Sequence, residues 1–321
     1  METTTSASYP LQDRSSTARR KQKDVLAVSP QTNFILNGLF IIYGCLCLLP
    51  ILLVISVSFS DEKSIALHGY KLIPLKFSLS AYKYLWFDIH SILTAYGISI
   101  LTTVAGTAAG LIMTALFAYP LSRKDFHFRG IFSFFIFFTM IFSGGLVPWY
   151  LMYANVLQMK DTLLALIVPG LLMNAFYVII MRTFFQTTIH PSIIESATME
   201  GASEGRILVQ IIAPLSLPVF ATIGLFYSLG YWNGWYNSLI FINNDEIINL
   251  QYMMYKVLMN LQFLLANAQA GSGPSSTEIA NLPNESVRMA MCIVGTGPMV
   301  FAYPFFQKYF VKGLTVGAVK G

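Results

Sequence analysis

The stretch "HPSIIESATMEGASEGRILVQIIAPLSLP", residues 190–218, separates two long apolar runs of the chain. It carries three carboxylates, Glu195, Glu200 and Glu204, in a sequence of 321 residues that is 55% hydrophobic and only 11% charged. Such an apolar excess is typical of membrane proteins. The stretch, called the insert below, is therefore a polar segment between two candidate membrane spans.

Local signals predict two short helices at an angle within the insert. Ser192 and Glu195 have the S-x-x-E spacing of a capping box, which predicts a helix that starts at Ser192. Gly201 is suited to end it, because glycine enters the left-handed conformation without strain. Residues 203–212 can form the second helix, and Pro214 is expected to end it.

The insert supports two interpretations at this point. Ala197 and Gly201 are four residues apart, so they share a helix face on which another protein could sit closely. Alternatively the insert is a solvated hairpin in which Glu195 is only a helix cap, since capping boxes are common.

Six apolar runs have the length of about 20 residues that spans a hydrocarbon core. They cover residues 34–59, 94–121, 131–153, 162–181, 218–242 and 287–306. The sequence therefore predicts an all-α membrane protein with six transmembrane helices and the insert between the fourth and the fifth.

The distribution of charge predicts the orientation. Segments on the side of the termini and the insert hold 13 of the 20 Lys and Arg residues but only 7 of the 15 carboxylates. Because Lys and Arg gather in cytoplasmic segments, the N-terminus, the C-terminus and the insert are expected in the cytoplasm.

This topology divides the chain into four regions. Residues 1–30 are rich in Ser, Thr and charge and are expected to be a disordered cytoplasmic tail. The other regions are a first span with an external loop at 31–93, a domain of five spans at 94–308 and a cytoplasmic C-terminal tail at 309–321.

Several functional classes lack support in the sequence. The six runs contain no Asp, Glu or Lys, and their one Arg, Arg288, is at a rim, whereas ion-coupled carriers usually keep an ionisable residue within a span. The four histidines lie in separate loops, so neither a metal site nor a catalytic triad is indicated. No Gly-Lys pair is present, so the chain is not expected to bind ATP through a phosphate loop. A stand-alone secondary transporter or channel for a small polar solute remains the alternative, because backbone carbonyls can also bind Na⁺.

The insert resembles the EAA loop of the membrane subunits of binding-protein-dependent ABC importers. The matching positions are Glu195, Ala197, Gly201, Ala202, Ile212, Pro214 and Pro218. Three positions depart mildly from the pattern: Ser196, Glu200 and Ala213.

The resemblance extends from about residue 34 to the C-terminus. The stretches "AYPLSRKDF", "FSGGLVPWYL", "IIMRTFF", "GYWNGWYNSLIF" and "YPFFQKYFVKG" are similar to the carbohydrate permeases of the maltose-permease group. They are most similar to the branch named for a lipoprotein-type polysaccharide permease of Gram-positive bacteria.

This resemblance implies a permease subunit of an ATP-driven carbohydrate (oligosaccharide) importer in a bacterial plasma (inner) membrane. Its expected partners are a second homologous permease subunit, two ATPase subunits, an extracellular lipoprotein or periplasmic sugar-binding protein and membrane lipid, without nucleic acid. The chain itself is expected to bind no cofactor, and ATP and Mg are used by the partner ATPase. The insert would act as the coupling helix, with the contact residues Glu195, Ala197, Glu200, Gly201, Ala202 and Pro214.

The fifth apolar run suggests a substrate path. It concentrates aromatic and amide side chains at Trp232, Asn233, Trp235, Tyr236 and Asn237. Sugars stack on aromatic rings and bond to amides, so the cluster suits a carbohydrate, with Asn174 and Tyr177 on the fourth run as further candidates. The alternative is an interfacial aromatic belt for the first cluster and helix–helix hydrogen bonding for the second.

Two outer connections also stand out, residues 61–92 and residues 243–286, and the second contains a stretch rich in Gly, Ser, Asn and Pro. Such loops without apolar periodicity are usually functional or disordered. In the relatives the loop that matches residues 243–286 reaches toward the binding protein.

Overall fold

A computed structural model describes residues 30–171, 174–269 and 284–318. The predicted N-terminal tail lies outside these residues, except for Pro30. The regular structure of the described part is helical, apart from one isolated antiparallel bridge between Ser60 and Phe77. Described residues up to Leu53 form one compact unit and those from Val54 onward form a second.

Fourteen helices are numbered here in chain order. The first seven are α1 (Pro30–Ser58), α2 (Glu62–His68), α3 (Ser80–Phe87), α4 (Ile89–Ser122), α5 (Arg129–Ile141), α6 (Leu146–Leu151) and α7 (Leu163–Leu171). The next seven are α8 (Ala175–Thr188), α9 (Pro191–Met199), α10 (Glu204–Ile207), α11 (Leu217–Trp232), α12 (Trp235–Phe241), α13 (Leu250–Gln269) and α14 (Glu285–Ala318). Helix α6 continues into a π-helical turn at Met152–Val156, and α10 continues through another at Leu208–Ile212 to a short helix at Ala213–Leu215.

Among the described residues, three helices are long and apolar enough to cross a membrane: α1, α4 and the Glu285–Lys308 part of α14. Three bent pairs reach that length only together: α5 with α6, α7 with α8, and α10 with α11. The first pair bends by 115° and the last by 86°. The all-α membrane fold predicted from the sequence is therefore confirmed.

Three of the predicted spans are not the continuous helices that were expected, and one of them, the run at 162–181, is divided between α7 and α8. The run at 131–153 breaks between α5 and α6, where Gly145 adopts φ +83°, a conformation that other residues rarely enter. The run at 218–242 breaks between Trp232 and Trp235. A Cβ atom on Gly234 would lie 3.2 Å from the carbonyl oxygens of Gly230 and Tyr231, so a larger residue would force the backbone of this turn to shift.

The outer connections also contain more regular structure than their composition predicted. The connection at 243–286 holds helix α13, which packs against α4, α12 and α14. Helix α14 continues to Ala318, so the predicted C-terminal tail at 309–321 is largely helical in backbone conformation. The connection at 61–92 holds α2 and α3.

The most extensively packed pair of helices is α4 with α11. Gly106 and Gly110 on α4 leave room for two tyrosine rings of α11. A Cβ atom on Gly106 would lie 2.4 Å from Cζ of Tyr231, and one on Gly110 would lie 2.9 Å from Cε1 of Tyr227. Small residues that let helix backbones approach are the usual basis of packing between membrane helices.

The Tyr231 ring also reaches a third helix. A Cβ atom on Gly170 of α7 would lie 2.7 Å from the Tyr231 hydroxyl, which donates to the carbonyl of Ile167 at 3.0 Å. The Tyr231 ring is thus packed between α4 and α7.

Hydroxyl pairs extend the contact between α4 and α11. Thr114 Oγ1 lies 2.9 Å from the Tyr227 hydroxyl, and Thr107 Oγ1 lies 3.3 Å from Ser228 Oγ. Each pair satisfies polar groups that hydrocarbon would otherwise leave without partners.

We expect Gly106→Ala to destabilise the protein by about 1–3 kcal/mol, because the methyl group would overlap the Tyr231 ring. Gly97→Ala is the matched control on the same helix, since a Cβ atom there meets nothing within 4 Å. The measurement is thermal unfolding of the purified protein in detergent. Equal melting temperatures for the two variants would contradict the packing described here.

Candidate functional site

An open cavity of about 1020 Å³ lies among α4, α5, α7, α8 and α11 and the break that follows α11. Its walls carry aromatic rings from Phe117, Phe142, Trp149, Tyr177, Phe226, Tyr227 and Tyr231. Polar side chains are contributed by Thr102, Thr139, Asn174, Asn237 and Asn249. The cavity therefore combines ring surfaces with amide and hydroxyl groups.

Local structure sets the position of each amide. Asn174 is the N-cap of α8, and its Oδ1 accepts from the backbone amide of Phe176 at 3.0 Å. Asn249 donates from Nδ2 to the carbonyl of Gly234 at 2.6 Å, which holds the break after α11. Asn237 lies on α12, directly after that break.

Three of the seven residues predicted for a substrate path line this cavity: Asn174, Tyr177 and Asn237. Sequence reasoning did not identify Tyr227 and Tyr231, although both rings line the cavity. Their spacing of four residues on one helix was the signal that could have identified them.

The other four residues lie away from the cavity because the helix breaks at residues 233–234. Trp232 is buried, and its Nε1 donates to the carbonyl of Gly295 at 2.8 Å. Trp235 stacks on Tyr255 with ring centroids 5.0 Å apart.

The remaining two residues, Asn233 and Tyr236, also have partners within the chain. Asn233 donates from Nδ2 to the carbonyl of Leu229 at 2.9 Å. Tyr236 lies against Trp149 with ring centroids 6.2 Å apart. The expectation that the five residues at 232–237 share one continuous helix is therefore wrong.

The insert begins differently from its sequence pattern. His190 is the N-cap of α9, and its Nδ1 accepts from the backbone amide of Ser192. Pro191 occupies the first helical position, where its missing amide hydrogen is no loss. The predicted capping box is wrong because Ser192 already lies inside the first turn.

The joint between α9 and α10 follows the sequence prediction. Gly201 has φ +80°, the left-handed conformation expected for a glycine that ends a helix. The backbone amide of Ala202 returns to the carbonyl of Ala197 at 3.0 Å and closes the turn.

Ala197 is buried in the same core cluster as α4, α8 and α11, so it does not form the expected open face with Gly201. Ala202 packs against that cluster as well. By contrast Glu195, Met199 and Glu200 are exposed, as are most other residues of α9.

The second helix of the insert extends past its expected end. Pro214 lies within Ala213–Leu215 and does not stop the helix. It follows the π-helical turn Leu208–Ile212, where the hydrogen-bond ladder widens and a missing amide is tolerated. Ile207, Leu208 and Ile212 are buried in the core cluster that also contains Phe185 of α8.

A polar cluster joins the insert to the end of α4. Glu204 accepts a hydrogen bond from the Tyr119 hydroxyl, and its other carboxylate oxygen lies 3.5 Å from Nη2 of Arg123. Arg123 also binds Asp125 through two hydrogen bonds of 2.9 and 2.8 Å. The insert is therefore attached to α4 by side chains, in addition to its covalent links to α8 and α11.

The guanidinium of Arg123 lowers the pKa of Asp125 below its usual value, mainly through their hydrogen bond. A carboxylate with a depressed pKa in the folded state contributes stability above its unfolded pKa. That contribution to stability is lost as the pH falls through the pKa that the carboxyl has in the folded state.

Residues 106–316 match the family described as "Binding-protein-dependent transport system inner membrane component". The polygalacturonan/rhamnogalacturonan transport system permease protein YtcP of Bacillus subtilis (strain 168) is 35% identical over 292 residues, which covers 90% of this chain and 98% of the relative. Protein LplC of the same organism is 37% identical over 278 residues, or 87% of this chain and 91% of the relative.

One solved structure is similar over most of the chain. It is described as a bacterial ABC transporter involved in the import of the acidic polysaccharide alginate. Its matching chain is 30% identical, with a TM-score of 0.71 and coverage of 88% of this chain and 98% of that chain.

We expect Trp232→Phe to lower the melting temperature, because it removes the hydrogen bond from the buried indole to the Gly295 carbonyl, which contributes about 0.5–1.5 kcal/mol, and leaves a smaller ring in a buried site. Trp235→Phe is the matched control, since that residue is partly exposed and its stacking on Tyr255 survives the change. Thermal unfolding in detergent compares the two. If the two variants have the same melting temperature, Trp232 does not have the structural role that its contacts indicate.

Proposed function

Because the chain belongs to the family of binding-protein-dependent transport system inner membrane components, we propose that it forms half of the translocation path of an ATP-driven carbohydrate importer. The cavity of about 1020 Å³ is the observation that carries this proposal. Its aromatic rings offer stacking surfaces, and its amides and hydroxyls offer the hydrogen bonds that sugar hydroxyls require. The relatives named for polygalacturonan, rhamnogalacturonan and alginate favour an oligosaccharide over a monosaccharide.

The proposed path uses Asn237, Asn174 and Tyr177 together with Tyr227 and Tyr231. Asn237 lines the cavity from α12, Asn174 from the N-cap of α8 and Tyr177 from α8 itself. Because Tyr177 lines the same cavity as Asn174 and Asn237, the cavity offers a sugar both a ring for stacking and amides for hydrogen bonds. Trp232, Trp235 and Tyr236 are assigned to the support of the helix break, and Asn233 is an exposed residue assigned to neither role.

The insert is proposed as the contact with an ATPase subunit, which binds ATP and Mg in place of this chain. Glu195, Glu200 and Gly201 are exposed on or next to α9 and are assigned to the contact itself. Ala197, Ala202 and Pro214 are assigned to the support beneath it. This assignment places the insert and both termini in the cytoplasm, with the binding protein on the opposite side and a second permease subunit beside the chain.

Coupling in this proposal is mechanical. Closure of the ATPase subunits displaces α9, which shares a hydrophobic core with α4, α8 and α11. The contacts of Glu204 pass the displacement to α4 as well. Because these helices also form the cavity walls, a rigid-body movement of the insert can open the cavity to the other side of the membrane.

Uptake by proteoliposomes tests this function. The chain is reconstituted with its partner permease, ATPase and binding protein, and labelled oligosaccharide uptake is measured with internal ATP or with an imposed ion gradient. We expect uptake with ATP alone. Uptake driven by an ion gradient without ATP would instead identify a secondary transporter.

Asn237→Ala should raise the sugar concentration for half-maximal uptake roughly 2–10-fold, because one hydrogen bond contributes about 0.5–1.5 kcal/mol. Asn233→Ala is the matched control, since it removes an exposed amide beside the same helix break but outside the cavity. Equal uptake curves for both variants would remove Asn237 from the path.

Glu204→Gln should reduce sugar taken up per ATP hydrolysed by roughly 1.5–5-fold while the ATPase stays bound. An exposed ion pair contributes about 0.2–1 kcal/mol, and Glu204 loses its charge toward both Tyr119 and Arg123. A double-mutant cycle with Arg123→Gln measures their interaction.

Glu246→Gln, an exposed carboxylate outside the insert, is the control for this cycle. Strictly additive effects of the Glu204 and Arg123 variants would show that the contact does not take part in coupling. Loss of the bound ATPase in Glu204→Gln would assign the residue to docking instead.

A further inference from the structure

Residues 61–88, called the surface segment below, expose many large apolar side chains although they connect two membrane helices. Phe87 is 92% exposed, Leu67 and Ile73 are each 79% exposed, and Trp86 is 72% exposed. Further exposed members are Tyr70, Leu72, Leu75, Phe77, Leu79 and Tyr84. Contiguous exposed apolar surface of this kind marks contact with a membrane or another protein.

The surface segment is folded back on the last turn of α1 and is not a free loop. Ser56 Oγ donates to the carbonyl of Lys71 at 2.8 Å, and the backbone amide of Asp61 donates to the carbonyl of Lys76 at 3.0 Å. The rings of Phe59 and Phe77 stack with centroids 5.6 Å apart. These contacts hold the segment at the end of a membrane-spanning helix.

The surface segment cannot lie within the hydrocarbon core. Residues 69–79 are irregular, and irregular backbone facing lipid tails would leave amide and carbonyl groups without partners. Lysines alternate with its apolar residues at Lys63, Lys71, Lys76 and Lys83. Aromatic residues combined with lysine are typical of the zone between hydrocarbon and water.

The carboxylates of the surface segment are largely engaged within the chain. Asp61 lies 3.6 Å from Nζ of Lys76. Glu62 accepts from the backbone amides of Glu285 and Ser286 at 2.9 and 3.1 Å and from Ser286 Oγ at 2.8 Å. It thereby caps the first turn of α14.

Three lysines of the surface segment, Lys63, Lys71 and Lys83, are exposed and have no ion-pair partner among the described residues. Their charges are therefore available to an external anion. Phospholipid phosphates are the anions found at the boundary where a membrane helix ends.

We propose that the surface segment lies flat on the membrane surface. Its apolar side chains enter the outer part of the acyl-chain region, and Lys63, Lys71 and Lys83 contact the phosphate headgroups of anionic lipids. The occupant of this face is the bilayer surface, not another protein. Glu62 links this surface element to α14, so contact with lipid also orients the start of that helix. The proposal requires only that the chain spans a membrane and does not depend on the transported substrate.

Spin labels test this placement. Cys45, Cys47 and Cys292 are replaced by Ser, and single cysteines at Ile73 and Phe87 are labelled with a nitroxide in the full-length chain. The chain, assembled with its partner subunits, is reconstituted in vesicles of phosphatidylethanolamine and phosphatidylglycerol. Collision rates with oxygen, which partitions into lipid, and with a water-soluble nickel chelate are measured by electron paramagnetic resonance.

Two reference labels give the limits of the ratio of oxygen to nickel collisions. A label at Ile42 within α1 represents hydrocarbon, and a label at Glu246 represents water. We expect the ratio of oxygen to nickel collisions at Ile73 and Phe87 to fall between those of the two references. A ratio equal to that of Glu246 would place the segment in water and overturn the proposal. Low collision rates with both reagents would show that a protein covers it and would equally overturn the proposal.

The lysines are tested separately. Lys63→Gln, Lys71→Gln and Lys83→Gln are combined, and the Phe87 label is measured in anionic vesicles and in vesicles of phosphatidylcholine alone. We expect nickel collisions to rise in the anionic vesicles and to stay unchanged in the neutral ones. The same response in both would overturn the assignment to anionic headgroups.

Discussion

The close approach of α4 to α11 is the constraint on which the rest of the structure depends. Gly106 and Gly110 have no side chain, so the rings of Tyr231 and Tyr227 fill the space that a Cβ atom would occupy. Without a hydrophobic driving force between helices in lipid, such fitted packing and the hydroxyl pairs beside it hold the two helices together. Tyr231 extends the contact to α7 through Gly170, so three elements are fixed by one ring.

This packing connects the cavity to the insert. One end of the α4–α11 pair lines the cavity through Thr102, Tyr227 and Tyr231. The other end carries Tyr119 and Arg123, which bind Glu204 of the insert. A displacement of the insert therefore reaches the cavity through a packed body without requiring any flexible link, which is the basis of the mechanical coupling proposed above.

Much of this architecture could be predicted from the sequence, because apolar runs, charge asymmetry and the polar insert are properties of contiguous segments. The left-handed turn at Gly201 was predicted for the same reason. The breaks near Gly145 and Gly234 were not, since hydropathy does not distinguish a straight helix from two bent ones. The role of Tyr231 depends on glycines more than 60 residues away in sequence, and burial of Ala197 depends on packing against α8 and α11. Neither the packing of Tyr231 nor the burial of Ala197 can be predicted from a short stretch of sequence.

We infer that α4 and α11 move as one body during transport, and a disulfide between the two helices tests this movement. Thr107 and Ser228 have their hydroxyl oxygens 3.3 Å apart, so cysteines at these positions place their sulfur atoms close enough to test for a cross-link. In a chain with Cys45, Cys47 and Cys292 replaced by Ser, the account predicts that oxidation leaves ATP-driven uptake unchanged. Loss of uptake on oxidation and its recovery with a reductant would show that the two helices slide past each other. That result would contradict the movement of α4 and α11 as one body.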